Sequence, residues 1–160
     1  MRQLPLIHIM SGTMNQEPSC TIRLGDWASQ RAEAQAIRFE VFVREQNVPA
    51  DIELDAMDAH CLHAIAYDAS GAPVGTGRLL PDGHIGRMAV RKQARGGGVG
   101  SALLKTLMAQ AQARGDDHVA LSAQTHAAAF YLAHGFVQHG PEFSEAGIAH
   151  VAMCFTFPTA

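Results

Sequence analysis

Hydrophobic positions along the chain change their period several times, and the changes predict alternating strands and helices. Residues 21–24 read as a short strand. Asp26 then stands where an N-cap would, and Ala32, Ala36, Ile37 and Val41 behind it keep a 3.6-residue period, which predicts a helix. Pro49 and the acidic residues after it predict a loop. Residues 62–67, 73–80 and 85–90 read as strands, separated by the turn residues Asp68-Ala69-Ser70-Gly71 and Pro81-Asp82-Gly83. A second helix opens at Val99, buries Leu103, Leu104, Leu107, Met108 and Ala111, and stops at Gly115. Residues 119–123 predict a strand, 127–133 a short helix, and 136–138 and 150–157 two closing strands. A meander followed by β-α-β-α-β-β suits an α/β (α+β) domain, a mixed sheet with helices on both faces. No internal repeat is present.

Composition adds boundaries. At 160 residues the chain is one domain with enough length to bury a core. Residues 1–20 mix Gly, Pro, Ser and Asn without periodicity and predict a flexible tail, leaving 21–160 as the domain. A formal charge of −3 gives no reason to expect nucleic acid or an anionic membrane as partner. No apolar run approaches the ~20 residues of a membrane span. Residues 4–10 are too short, are broken by Pro5 and His8, and lack a cleavage site, so secretion is not expected. Cys20, Cys61 and Cys154 are odd in number and far apart, as reduced thiols of a cytoplasmic protein would be.

The strongest chemical signal is Arg95-Gly96-Gly97-Gly98-Val99-Gly100-Ser101, between the strand 85–90 and the second helix. A helix begins with N–H groups that lack intrahelical partners and carry the positive end of the dipole. Glycines there remove the Cβ atoms that would hold a phosphate away, so the stretch predicts an anion seat suited to a pyrophosphate. The P-loop needs Gly-Lys-Ser/Thr, but Ser101-Ala102 follow the last glycine. The dinucleotide fingerprint needs a small residue where Leu103 stands. What remains is Arg95-x-x-Gly98-x-Gly100. Charge-assisted hydrogen bonds contribute ~1.5–3 kcal/mol each and an exposed arginine pair ~0–1 kcal/mol, so backbone amides would do most of the holding and Arg95 would assist.

That loop resembles the one in the GNAT superfamily of N-acyltransferases. A second match is Gln124-Thr125-His126-Ala127-Ala128-Ala129-Phe130-Tyr131 followed by His134-Gly135-Phe136, where relatives commonly carry Asn in place of Gln124. The region from Arg38 to Pro49, the acids Glu53, Asp55 and Asp58, and the segments Ala123-Gln124-Thr125-His126 and Gly147-Ile148-Ala149-His150 are similar to the small bacterial ElaA and YjcF type. The resemblance covers roughly residues 21–157 and implies a mostly antiparallel central sheet splayed at an acyl-CoA site. It implies acetyl-CoA as donor, with the backbone of Met88, Ala89 and Val90 pairing with the pantetheine arm. Arg95, Gly96, Gly97, Gly98, Val99, Gly100, Ser101 and Gln124 complete the implied cofactor site. Tyr131 takes the role of general acid toward the departing thiolate. With a thiol pKa of ~8.5 and a phenol pKa of ~10, such a group can share its proton without ionising at neutral pH; packing a helix on the sheet is its other reading.

The proton acceptor departs from the family pattern, because Gly86 stands where a glutamate is often found. His84 is the nearest candidate base and equally suits a turn; Glu45, Glu53, Asp55, Asp58 and a water relay are alternatives. Glu53 is a candidate for attracting a cationic amine, and Arg38 and Arg78 for orienting a substrate carboxylate or for pairing with the acids. The spacing Asp51-x-Glu53-x-Asp55 fails as an EF-hand, since Ala56 and Leu62 occupy the required Gly and Glu positions. His60-Cys61-x-His63 lacks a second ligand pair, so no metal is expected. The expected function is acetyl transfer to the primary amine of a small molecule or peptide, with room left for a homodimer. The rivals are a non-catalytic acyl-CoA sensor and a transferase with another acyl donor, as in acyl-homoserine-lactone synthases.

Overall fold

A computed structural model describes residues 20–159. The tail expected over residues 1–20 lies outside the described residues except for Cys20. Strand β1 (Thr21–Gly25) leads into helix α1 (Trp27–Arg38), and Asp26 caps it as expected, its Oδ1 accepting the Ser29 N–H at 2.9 Å. The helix continues as a π-helical stretch over Phe39–Glu45. Its buried face is Gln30, Ala34, Ile37 and Arg38, followed by Val41 and Phe42, while the expected Ala32 and Ala36 face solvent. Alanine offers too little apolar area to fix a face; the matched charge of Arg38 decides it. Instead of a plain loop, a short helix α2 (Ala50–Glu53) and a 3-10 turn (Ala56–His60) follow.

Strands β2 (Leu62–Tyr67), β3 (Pro73–Leu79) and β4 (Ile85–Val90) form an antiparallel sheet with β1 in the order β1-β2-β3-β4. Helix α3 (Val99–Ala113) leads to β5 (His118–Gln124), then α4 (Ala128–Ala133) and the hairpin β6 (Val137–Glu145) and β7 (Ile148–Thr156). These last strands make a second antiparallel sheet in the order β5-β7-β6. β6 runs for nine residues rather than the expected three. A register shift between His139 and Phe143 carries Gly140-Pro141 within this edge strand, where an N–H missing from proline leaves no partner unsatisfied.

Small residues let α3 lie close to the first sheet. Ala64 pairs with Gly77 and Ala66 with Gly75, so two strands present almost no side chain to the helix. A Cβ on Gly75 would stand 2.9 Å from Leu103 Cδ1 and 3.3 Å from the Ala89 carbonyl oxygen. On the opposite face Ile65 and Tyr67 pack with Ala34 and Ile37 of α1.

Beneath α1, three arginines share three carboxylates. Arg38, 1% exposed, donates from Nε to Glu53 Oε2 at 2.6 Å and from Nη1 and Nη2 to the two Asp58 oxygens at 2.9 and 3.0 Å. Arg78 on β3 donates to Asp55 at 2.8 and 2.9 Å and to Asp58 at 2.8 Å. Arg87 on β4 donates to the Glu53 carbonyl at 3.1 Å and to Asp55 at 3.2 Å. Removing one member of such a buried set leaves an uncompensated charge and costs about 3–5 kcal/mol. The hydrogen bonds from Arg78 hold the Asp55 carboxyl down at about 2, from an ordinary 3.8. Burial pushes Asp58 the other way, but Arg38 and Arg78 outweigh it and its value is also lowered.

Two outcomes are expected. Gly75→Val forces a side chain against Leu103 and the Ala89 carbonyl; calorimetric melting should register a loss of about 1–3 kcal/mol. The stability that Asp55 contributes is complete above its ordinary value of 3.8 and is lost as pH falls through about 2. Urea titrations across that interval should record falling stability, with a shallower slope for Asp55→Asn.

Candidate active site

β4 and β5 run parallel but meet only once, where His84 bridges Ala120 and the Ala120 N–H donates to the Gly83 carbonyl at 3.1 Å. Beyond it, no ladder joins the two sheets among the described residues. Strand twist carries the partners apart, opening a cleft of about 750 Å³. Its walls are β4, β5, the end of the π-helical stretch, α4 and the β6–β7 hairpin. β4 is therefore an edge strand along the cleft, where its Val90 carbonyl accepts from Arg95 Nε at 2.9 Å. Ile85 through Val90 all line it, which puts Met88, Ala89 and Val90 where an amide-containing arm would add as a strand.

A bulge sharpens this edge. Thr76 pairs with Ala89 and Arg78 with Gly86, so Gly77 alone faces both Arg87 and Met88. The extra residue bends β4 beside the cleft. Arg87 has φ +49°, a left-handed conformation that a non-glycine residue adopts at a cost of roughly 1–2 kcal/mol. Its bonds to Glu53 and Asp55 hold it there. Nothing in the sequence singled out Arg87; the glycine opposite it was the only trace of the bulge.

The glycine loop lies at the C-terminal end of β4. Gly98 precedes α3 with φ +89°, no side chain caps the helix, and the first intrahelical bond runs from the Ala102 N–H to the Gly98 carbonyl at 3.0 Å. The amides of Val99, Gly100 and Ser101 are left without intrahelical partners. A Cβ on Gly96 or Gly97 would meet nothing within 4 Å, so the space is open to a ligand, while the φ of +87° at Gly96 itself favours glycine. Arg95 lines the cleft beside the loop and forms a two-pronged pair with Glu45 at 2.7 Å on both arms. That hydrogen bonding lowers the Glu45 pKa. The pair is largely solvent-exposed and worth ~0–1 kcal/mol, easily exchanged for a phosphate.

The Ser101 hydroxyl is turned away from the loop. His134 must donate from Nδ1, because its partner there is the Phe130 carbonyl at 2.8 Å. Its Nε2 therefore accepts from Ser101 Oγ at 2.7 Å, tying the start of α3 to α4. The same α4 presents Tyr131 to the cleft. Tyr131 is 9% exposed, its hydroxyl has no hydrogen bond among the described residues, and burial pushes its pKa up to about 12.

The other expected site residues are distributed unevenly. Gln124 reaches the cleft, but its amide is engaged in a reciprocal pair with Gln46 at 2.8 and 3.2 Å, spanning from β5 to the chain after the π-helical stretch. His84 lines the cleft near the bridge with its side chain half-exposed, its Nδ1 3.1 Å from Asp82 of the same turn. Glu53 and Arg78 line the wall while committed to the ion-pair network. Arg38 lies behind that wall, not in it, with its guanidinium occupied by Glu53 and Asp58. His150 lines the cleft as well; the sequence marked it only as part of the Gly147-Ile148-Ala149-His150 segment. His63 belongs to the interior, bonded to the Asp58 carbonyl at 2.9 Å. No cluster of three or more His, Cys, Asp or Glu suited to a metal occurs among the described residues. None of the described helices is long and apolar enough to cross a membrane.

The chain and its fold have relatives among known proteins. The N-acetyltransferase YjcF of Bacillus subtilis, described as uncharacterized, is 41% identical over 128 residues, covering 78% of this chain and 91% of that protein. An acyl-CoA N-acyltransferase from Pseudomonas aeruginosa superposes with a TM-score of 0.76 at 30% identity, covering 86% of this chain and all of the other. Escherichia coli ElaA superposes with a TM-score of 0.74 at 29% identity over 85% of this chain and 99% of its own. The acetyltransferase (GNAT) domain family matches residues 25–157, which takes in every strand but β1 and every wall of the cleft. This chain therefore belongs to the GNAT acetyltransferases, a family of acyltransferases that use acyl-CoA as cosubstrate and act on small-molecule or peptide substrates.

Proposed function

We propose that this protein transfers an acetyl group from acetyl-CoA to a primary amine by direct attack. The observation that carries the reading is Tyr131: a buried phenol with a free hydroxyl, held in the cleft between the unpaired edge of β4 and the start of α3. The amides of Val99, Gly100 and Ser101 would hold the diphosphate, with Arg95 assisting. The edge of β4 at Met88, Ala89 and Val90 would bind the pantetheine amides and direct the thioester toward Tyr131.

The raised pKa refines what Tyr131 does. Transfer of a proton from a group at about 12 to a thiolate whose conjugate acid lies near ~8.5 is uphill by roughly 4–5 kcal/mol. Tyr131 would therefore stabilise the departing thiolate by donating a short hydrogen bond, keeping its own proton until collapse is complete. An enzyme-bound acyl intermediate is not part of the reading. No cysteine lines the cleft, and Cys61 is buried, donates to the Met57 carbonyl, and is pushed up by burial. The reading puts the reaction in the cytoplasm, which suits three cysteines that are all free.

A binding-only sensor is the second reading, favoured by Gly86, which leaves open space on β4 where the family often carries a carboxylate. Release of free CoA on adding primary amines separates the two, since a sensor releases none.

Two variants test the donor site and the chemistry. Gly98→Asp sets a carboxylate at the diphosphate seat and should abolish acetyl-CoA binding by calorimetry. Gly98→Asn, which tolerates the same backbone conformation, should bind at least about tenfold more tightly than the aspartate variant. Tyr131→Phe should keep acetyl-CoA affinity and lose about 10²-fold or more in kcat; unchanged turnover would reduce Tyr131 to packing.

A further inference from the structure

We propose that His150 is the base that takes the proton from the acceptor ammonium; this rests on the amine-transfer reading above. His150 is 7% exposed, yet it lines the cleft. Its Nδ1 lies 2.7 Å from the Ile148 carbonyl, an atom that can only accept. The proton of the neutral ring is therefore on Nδ1, and the lone pair is on Nε2. Nε2 has no hydrogen-bond partner among the described residues. The ring is also held in place, stacked on Phe143, its neighbour across β6, at 5.9 Å and 24°.

Its direction follows from the ladder. His150 lies directly opposite Gln124 between β7 and β5, and opposed residues point to the same face of a sheet. The Gln124 side chain reaches Gln46, after the π-helical stretch that continues α1. His150 thus faces the α1 side of the cleft, away from α3 and its glycine loop. An amine approaching the thioester from the side opposite the diphosphate would meet Nε2 first. The rival bases are less free: Glu53 is shared by Arg38 and Arg87, and His84 is tied to Asp82 in its own turn.

The proton balance is simple. The ammonium R–NH₃⁺ gives one proton to His150 Nε2, and the free amine attacks the thioester carbonyl. As the C–S bond breaks, the new amide nitrogen sheds its second proton and the thiolate, hydrogen-bonded by Tyr131, takes up one proton to leave as thiol. The imidazolium returns its proton to solvent, for a net release of one. Charged and titratable groups on the packed elements are Glu145, Glu142 and His139 of β6, His126 of the 3-10 turn Thr125–Ala127, and His118 at the far end of β5. Glu145 and His126 line the same cleft.

The test uses His150→Asn, whose amide nitrogen still donates to Ile148, with spermidine, free lysine and a lysine-containing peptide as acceptors. The variant should bind acetyl-CoA with wild-type affinity and lose about 10²–10³-fold in kcat/KM at pH 7. The deficit should narrow to less than about tenfold near pH 9.5, where aliphatic amines (pKa ~10.4) begin to deprotonate unaided. A deficit equal at every pH, or no deficit, overturns the assignment while leaving amine transfer by the wild type intact. A wild type that acetylates none of the three overturns the amine-transfer reading and this proposal with it. Should the asparagine variant unfold, His150→Gln is measured in its place with the same expectations. Long-range proton–nitrogen NMR of the wild type should find the Nδ1–H tautomer at His150; an Nε2–H tautomer overturns the proposal.

Discussion

Among the described residues, the two antiparallel sheets join along their facing edges at one parallel bridge, between His84 and Ala120. Had the ladder continued, β4 and β5 would have satisfied each other and left no cleft. Because it stops, β4 is an edge strand toward the gap, its Val90 carbonyl held by Arg95. The Arg87 bulge reinforces the separation by bending β4, and the Gln46–Gln124 amide pair braces the far side at a fixed opening.

The interruption needs a rigid frame, and the arginine–carboxylate network supplies one. It joins α1, α2, the 3-10 turn, β3 and β4 through Arg38, Glu53, Asp55, Asp58, Arg78 and Arg87. Buried ion pairs of this kind add little net stability over apolar packing, but breaking one is costly, so they enforce one arrangement over its neighbours. Here they hold the left-handed backbone at Arg87 and fix the wall that Glu53 and Arg78 present. These residues serve the site by position while their charges are largely spent on one another.

The cleft divides its work between two faces. On the α3 side are the helix start, the open glycines and the easily exchanged Arg95–Glu45 pair. On the α1 side are the ion-pair wall and the β6–β7 hairpin. Tyr131 sits between them, its α4 tied to the start of α3 by the Ser101–His134–Phe130 chain of hydrogen bonds. The glycine loop and the helix that carries Tyr131 are thus tied together through three residues.

Much of this was legible in the sequence because it depends on local chemistry. The strand meander, the Asp26 cap, α3 with its leucines and the glycine loop follow from periodicity, capping and backbone conformation, each set by residues close in the chain. The motifs around Arg95–Gly100 and Gln124–Tyr131 pointed to the family for the same reason. Local signals misled where tertiary partners decide: the strand expected over 136–138 runs on to Glu145, and Ala32 and Ala36 face solvent while Arg38 is buried. Whether Arg38, Glu53 and Arg78 face a substrate or one another is equally invisible from spacing, since ion pairing joins residues 15 to 23 positions apart. The sequence alone determined most of the elements and the glycine-rich start of α3. Only the tertiary structure decided where the ladder breaks, which arginines are spent, and which histidine nitrogen is left with a free lone pair, because each depends on registers and partners that the chain acquires only once folded.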